Sequence, residues 1–229
     1  IMSNTSLGKG HKGSKKWIQV FVNERPDELL RAIHEHDNTI KSIEWLSPLE
    51  SKNYREFRKR DLPLTTPPEM LKFWPDNGPW WDAVGISNDD TLLLVEAKAH
   101  TGEIKTSCTA KSVESIRKII SSMKKTHDEI APGHIMTWDI PDAGLKSMNN
   151  CWVNGYYQLG NRLTFRHFLS KYMKVQLILL NFTNDNDFKP TKMDKWVSHY
   201  DKVFMEMLGA KNRPCGLLEI YLDVEKTYG

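Results

Sequence analysis

The chain has few cysteines and no long apolar run. Its three cysteines, Cys108, Cys151 and Cys215, are far apart among 229 residues, and no Cys-x-x-Cys pair occurs, so neither a zinc ribbon nor a disulfide framework is indicated. Free thiols are typical of a reducing cytoplasm. No apolar run approaches the roughly 20 residues that cross a bilayer, and the first residues lack the apolar core of a signal peptide. We therefore expect a cytoplasmic protein with no membrane partner.

The composition is that of a folded, mildly basic protein. Hydrophobic residues make up 39% of the chain and eight residues are tryptophan, which is ample material for a core. Residues 1–16 are rich in Gly, Ser and Lys and are expected to form a flexible basic tail. Residues 17–229 are expected to form a single domain. The net charge of +3 is compatible with a polyanionic partner but indicates one only weakly.

Strand and helix patterns alternate along the chain, which predicts an α/β fold with a mixed or parallel sheet. Capping residues and apolar periodicity predict the helices, and continuous apolar runs predict two late strands. The predicted helices span 26–36, 47–60, 112–130, 154–172 and 191–208, and the late strands span 175–182 and 217–224.

A β-hairpin is predicted before the third of these helices. Residues 80–86 and 91–99 are rich in apolar and β-prone side chains, and a polar turn at 87–90 separates them. If Ser87 faces Thr91 across the turn, the pairing of every other residue in the two strands follows by counting back.

Counting back from the turn places Asp82 directly opposite Glu96. Opposed residues share a sheet face, with Cβ atoms about 5 Å apart, and Lys98 shares that face because it lies two residues beyond Glu96. Ala97 points to the other face. Two neighbouring carboxylates in an apolar strand repel each other, so the arrangement indicates a cation between them.

An Asp on one strand and Glu-x-Lys on the next resembles the PD-(D/E)xK nuclease superfamily, the fold of many restriction and repair endonucleases. The matching residues are Asp82, Glu96 and Lys98, and the stretches 73–103 and 156–181 are also similar to bacterial proteins of this superfamily. The resemblance implies a restriction endonuclease-like core, in which helices flank both faces of a central mixed β-sheet.

The resemblance also implies a chemistry. The two acids and the carbonyl of Ala97 would hold Mg²⁺, with Mn²⁺ as a substitute, and Lys98 would orient the attacking water or stabilise charge on the phosphate. The substrate would be nucleic acid, with DNA favoured over RNA. Many members of the superfamily act as dimers, so a homodimer is compatible with the resemblance.

The motif departs from the family pattern at one position. Trp81 stands where the family has the proline before the aspartate. A literal Pro75-Asp76 pair occurs earlier, in a Pro- and Gly-rich stretch, which makes Asp76 a second candidate for the metal ligand.

Further candidates surround the motif. Gln158 and Arg162 share a face of the predicted helix at 154–172, and they either contact nucleic acid or form an ordinary polar helix face. Members of the superfamily often add an upstream acid, for which Glu56 is favoured over Glu28 and Glu44. A lysine-rich helix face could contact phosphates or simply be solvated; its residues are Lys111, Arg117, Lys118, Lys124 and Lys125.

Three functions remain open from the sequence. The leading hypothesis is a metal-dependent nuclease. The first alternative is a non-catalytic nucleic-acid-binding or structural module on the same fold. The second is a hydrolase, for example a glycosidase, that uses the two carboxylates as acid and base, although such an enzyme gives Lys98 no evident role.

Overall fold

The computed structural model describes residues 7–63, 72–76, 78–142 and 144–226. The helices are α1 (Gly13–Asn23), α2 (Pro26–His36), α3 (Val113–Ile130), α4 (Tyr157–Leu169) and α5 (Met193–Leu208). The strands are β1 (Ile43–Ser47), β2 (Phe57–Arg58), β3 (Trp80–Trp81), β4 (Ala83–Ser87), β5 (Leu92–Lys98), β6 (Thr106–Ser107), β7 (Asn154–Gly155), β8 (Val175–Thr183) and β9 (Leu217–Asp223). Short 3₁₀ turns span Glu50–Lys52, Lys59–Asp61, Thr101–Glu103 and Leu145–Ser147.

Five strands form one mixed sheet in the order β1-β4-β5-β8-β9. The first three are antiparallel neighbours, whereas β5, β8 and β9 run parallel to one another. Strand β5 is therefore central and has a hydrogen-bonded neighbour on each side. The predicted α/β class with a mixed central sheet is confirmed.

Helices cover both faces of this sheet. On β5, Leu92 and Leu94 pack into a cluster that includes residues of α3, α4 and α5. Leu93, Val95 and Ala97 pack into a second cluster with α1 and α2. The period-2 alternation of a strand thus sends even-numbered β5 residues toward α4 and odd-numbered ones toward α1.

The predicted hairpin register is confirmed. The Ser87 N–H donates to the Thr91 carbonyl over 3.0 Å, and Ala83 pairs with Val95. The paired residues end at Ala83 and Val95. Asp82 precedes β4, and its N–H donates to the Val95 carbonyl.

The helix predicted over 47–60 is wrong. This stretch contains a 3₁₀ turn, strand β2 and a second 3₁₀ turn. Asn53 and Tyr54 both adopt left-handed backbone angles, with φ of 52° and 53°, which an α-helix of L-residues cannot continue through. The preceding strand β1 was not predicted.

The prediction of a flexible tail over residues 1–16 is wrong for the described residues of that stretch. Helix α1 begins at Gly13, and the buried Gln19 side chain accepts the Gly10 N–H over 2.7 Å and donates to the Gly8 carbonyl over 3.1 Å. Residues 8–16 are therefore packed onto the domain, while residues 1–6 lie outside the described part of the chain. Within the described residues, no helix combines the length and apolar character that crossing a membrane requires.

Candidate functional site

A group of charged side chains lies at the carboxyl end of β5. On the face that begins with Leu92 and Leu94, the strand continues with Glu96 and Lys98, which are only 3% and 8% exposed. Open α/β sheets bind ligands at the carboxyl ends of their parallel strands. The buried charges therefore lie where such a sheet places a functional site.

Glu96 is held by two cations. Its Oε1 accepts a hydrogen bond from Lys98 Nζ, and its Oε2 accepts one from Arg162 Nε over 2.6 Å. Burial by itself would raise the pKa of Glu96, but the positive charges of Arg162 and Lys98 outweigh it, so the pKa is lowered. Glu96 is therefore a fixed negative charge within a mostly apolar sheet.

Asp82 lies at the bend between β3 and β4. Its N–H donates to the Val95 carbonyl over 3.2 Å, and its Oδ2 accepts the Ala97 N–H over 2.7 Å. Burial, followed by the negative charge of Glu96, raises the pKa of Asp82 to about 6. Because the N–H and C=O of a strand residue face the same neighbour, the Ala97 carbonyl also lies on the Asp82 side.

Lys98 donates to Gln158 Oε1 over 3.3 Å as well as to Glu96. Burial would lower the pKa of Lys98, but Glu96 and Asp82 more than compensate and the pKa is raised. Lys98 is consequently a stable cation. It suits electrostatic stabilisation of a phosphate rather than proton abstraction.

Helix α4 brings Gln158 and Arg162 to the site, as the shared helix face predicts. Arg162 is 4% exposed, donates to Asn161 Oδ1 over 2.7 Å and to the Trp80 carbonyl, and lies over the Trp81 ring at 4.6 Å. A direct contact with nucleic acid would require these bonds to break. The geometry favours a different role, in which Arg162 keeps Glu96 ionised and ties it to the segment before Asp82.

Glu56, one of the three candidate upstream acids, has a pKa that is affected by Asp82 and Glu96. Burial, followed by the negative charge of Asp82, raises the pKa of Glu56 to about 8. The charge of Glu96 also acts to raise this pKa, whereas the positive charge of Lys15 acts to lower it. The other two candidates lie elsewhere. Glu28, on α2, accepts hydrogen bonds from Arg25, and Glu44 is exposed on the edge strand β1.

The Pro75-Asp76 alternative is not supported by the geometry. Asp76 Oδ1 accepts a hydrogen bond from Lys59 Nζ over 2.9 Å, and its side chain is 92% exposed. The hydrogen bond from Lys59, and then the positive charge of Lys59, lower the pKa of Asp76. The aspartate is thus engaged in a surface ion pair.

Two contacts that hold the site could not be read from the sequence. Thr106 Oγ1 accepts the Gln158 N–H over 2.9 Å at the start of α4. Glu103 Oε2 accepts the Ala99 N–H over 2.8 Å just after β5. The second contact links the end of the central strand to the segment that follows it, and the first links that segment to α4. No residue spacing signals either of them.

The oxygen donors of the site suit a hard divalent cation. The negative charges of Asp82 and Glu96 act on Glu56, and that of Glu96 acts on Asp82, against the cations Lys98 and Arg162. The pKa values of Asp82 and Glu56 are raised first by burial and then by this neighbouring negative charge. In the described ranges, no three or more His, Cys, Asp or Glu side chains are grouped to hold a metal. Mg²⁺ commonly binds through only one or two carboxylates, with water and phosphate completing its shell, so the residues present fit the ion.

No protein-family model, no curated protein and no solved structure matches the chain. The resemblance to the PD-(D/E)xK superfamily therefore rests on the motif residues and their arrangement alone.

Proposed function

We propose that the chain is a metal-dependent nuclease that hydrolyses phosphodiester bonds of nucleic acid, with DNA as the favoured substrate. The observation that carries the proposal is the hydrogen bond between the Asp82 carboxylate and the Ala97 N–H, which brings Asp82 beside Glu96 and Lys98. The mixed sheet with helices on both faces supports it, because that is the architecture the motif implies.

Each residue has a role in this proposal. Asp82, Glu96 and the Ala97 carbonyl would hold Mg²⁺ or Mn²⁺, and Glu56 adds a third carboxylate beside them. A bound ion of this kind polarises the phosphate and lowers the pKa of a bound water. Lys98, held as a cation, stabilises the negative charge that develops on the phosphate.

The neighbouring helix supports these groups. Gln158 accepts a hydrogen bond from Lys98 and fixes its direction. Arg162 fixes the Glu96 carboxylate and keeps it ionised. Preorganised charge of this kind needs no rearrangement when the reaction begins.

The test is Mg²⁺- or Mn²⁺-dependent cleavage of supercoiled plasmid and of single-stranded DNA. Lys98→Ala should slow cleavage on the order of 100-fold or more, because a preorganised electrostatic contact is lost, while Mn²⁺ binding measured by calorimetry is retained. Asp82→Asn and Glu96→Gln should lose Mn²⁺ binding and cleavage together. Lys202→Ala, an exposed lysine on α5, is the matched control.

Cleavage by Lys98→Ala at the wild-type rate would contradict the role given to this lysine. Carboxylate variants that bind Mn²⁺ as tightly as wild type would contradict the ligand assignment. Circular dichroism of each variant separates these outcomes from misfolding.

One observation favours an alternative, a non-catalytic nucleic-acid-binding or structural module. Both oxygens of Glu96 already accept hydrogen bonds from Lys98 and Arg162, so this network can stabilise the fold without a metal. Nucleic-acid binding by the wild-type protein with no cleavage in any divalent cation would favour this alternative.

A further inference from the structure

The N-terminal basic segment, residues 8–16, carries charge of one sign. It contains four lysines and one histidine, and no Asp or Glu occurs between residues 7 and 23. The start of α1 and the Gln19 hydrogen bonds hold this segment in place. Its lysines therefore form a positioned surface.

This segment borders the carboxylate site. The positive charge of Lys15 acts to lower the pKa of Glu56, against the upward effect of burial. The Lys15 ammonium group therefore lies near Glu56. A Cβ added to Gly13 would lie 3.6 Å from Glu103 Oε1, and Glu103 binds the Ala99 N–H at the end of β5. The start of α1 and the end of the central strand are thus neighbours.

The connection between β8 and α5 extends the same surface. The Phe188 ring lies 5.6 Å from the His100 ring, just beyond β5. Lys12 Nζ and Lys189 Nζ lie 5.2 Å and 5.6 Å from the centroid of the Phe188 ring. Phe188 therefore places two exposed ammonium groups at the edge where β5 and β8 end.

The positive charge of this surface is largely unneutralised. Lys9, Lys12 and Lys189 form no ion pair with any residue in the described part of the chain, whereas Lys16 pairs with the exposed Asp187 at 3.4 Å. The lysine-rich helix α3 differs, because acids one turn away neutralise two of its lysines in the pairs Lys118–Glu114 and Lys124–Asp128.

We propose that Lys9, Lys12 and Lys189 form a phosphate-contact surface that holds the backbone of a nucleic-acid strand beside the carboxylate site. The proposal rests on the proposed function and specifies how its substrate is positioned. Contacts to phosphates fix the register of a strand without reading its sequence. Binding through this surface is therefore sequence-independent and depends strongly on salt.

The test measures binding in EDTA, where cleavage is suppressed. Fluorescein-labelled single-stranded and duplex 20-mers are titrated by anisotropy at several salt concentrations, with wild type and the triple variant Lys9→Gln/Lys12→Gln/Lys189→Gln. The matched control, Lys118→Gln/Lys124→Gln/Lys125→Gln on α3, removes the same charge. Each lost phosphate contact lowers the slope of log affinity against log salt by about 0.7 to 0.9.

We expect the first triple variant to bind roughly 10-fold more weakly or worse at low salt, with a salt slope reduced by about 2 to 3, and the control to stay near wild type. Equal losses in both variants would overturn the proposal, as would unchanged binding by the first. Binding of the wild-type protein to phosphatidylserine vesicles, without binding to either oligonucleotide, would also overturn the proposal. If the wild-type protein binds the oligonucleotides through these three lysines but does not cleave nucleic acid in Mg²⁺ or Mn²⁺, the nuclease function is refuted and the phosphate-contact surface is supported.

Discussion

Glu56→Gln should stabilise the metal-free protein at alkaline pH. The carboxyl group of Glu56 is partly buried beside Asp82 and Glu96, and its pKa rises from 4.5 to about 8 for these reasons. Glutamine has the same shape as the protonated acid and cannot ionise. The substitution therefore removes a charge that the folded chain accommodates poorly and the unfolded chain accommodates easily.

The sign and the pH window follow from the pKa of Glu56. Well below pH 4.5 the side chain is protonated in both states, and its ionisation does not affect stability. As the pH rises toward 8, the unfolded chain releases this proton while the folded chain retains it, so the stability of the wild type falls. One pKa unit corresponds to about 1.4 kcal/mol. Because Glu56 is partly exposed and shares its repulsion with Asp82, we expect a gain of about 2 to 3 kcal/mol at pH 8.

The assay is urea unfolding followed by tryptophan fluorescence, in EDTA, from pH 4 to pH 9. The gain from Glu56→Gln should vanish near pH 4 and shrink on addition of Mg²⁺, which relieves the same repulsion. Glu44→Gln makes the same change at an exposed position of β1 and should be neutral. A Glu56→Gln protein that is no more stable than wild type at pH 8 would refute the assigned cluster of acids.

Two further substitutions test contacts around the site and the core. Arg162→Gln should destabilise the protein by about 3 kcal/mol in urea unfolding, because Glu96 loses one of its two buried cations; a loss below about 1 kcal/mol would contradict the buried pair. Gly209→Ala should cost about 1 kcal/mol, since Gly209 ends α5 at a φ of 69°, and an unchanged thermal midpoint would contradict that assignment.

The hairpin was predictable because local chemistry determines it. The polar turn at 87–90 separates two apolar strands, and the side-chain period of 2 then fixes which residues share a face. The pairing of Ser87 with Thr91 therefore determined that of Ala83 with Val95. Helix α3 was predictable for a similar reason, since Ser112 Oγ accepts the Ser115 N–H and caps its first turn.

Contacts between distant segments were not predictable. Arg162 and Glu96 are 66 positions apart, and no local pattern indicates that the arginine is buried against the acid rather than exposed to a ligand. The start of α1 was not predicted because a Gly- and Lys-rich stretch resembles a flexible chain. The Gln19 side chain, which bonds Gly8 and Gly10, lies further along within α1 itself. The false helix over 47–60 had suitable apolar spacing but contained two residues with left-handed backbone angles.

The central position of β5 affects how the protein tolerates change. Strands β4 and β8 bond it on both sides, whereas local opening in native proteins tends to begin at termini and weakly packed segments. The outer strands can therefore open transiently while Glu96 and Lys98 keep their positions on β5. Substitutions at the periphery then reduce the folded population without misplacing the reactive groups, so the surroundings of the site can vary in sequence while its geometry is maintained.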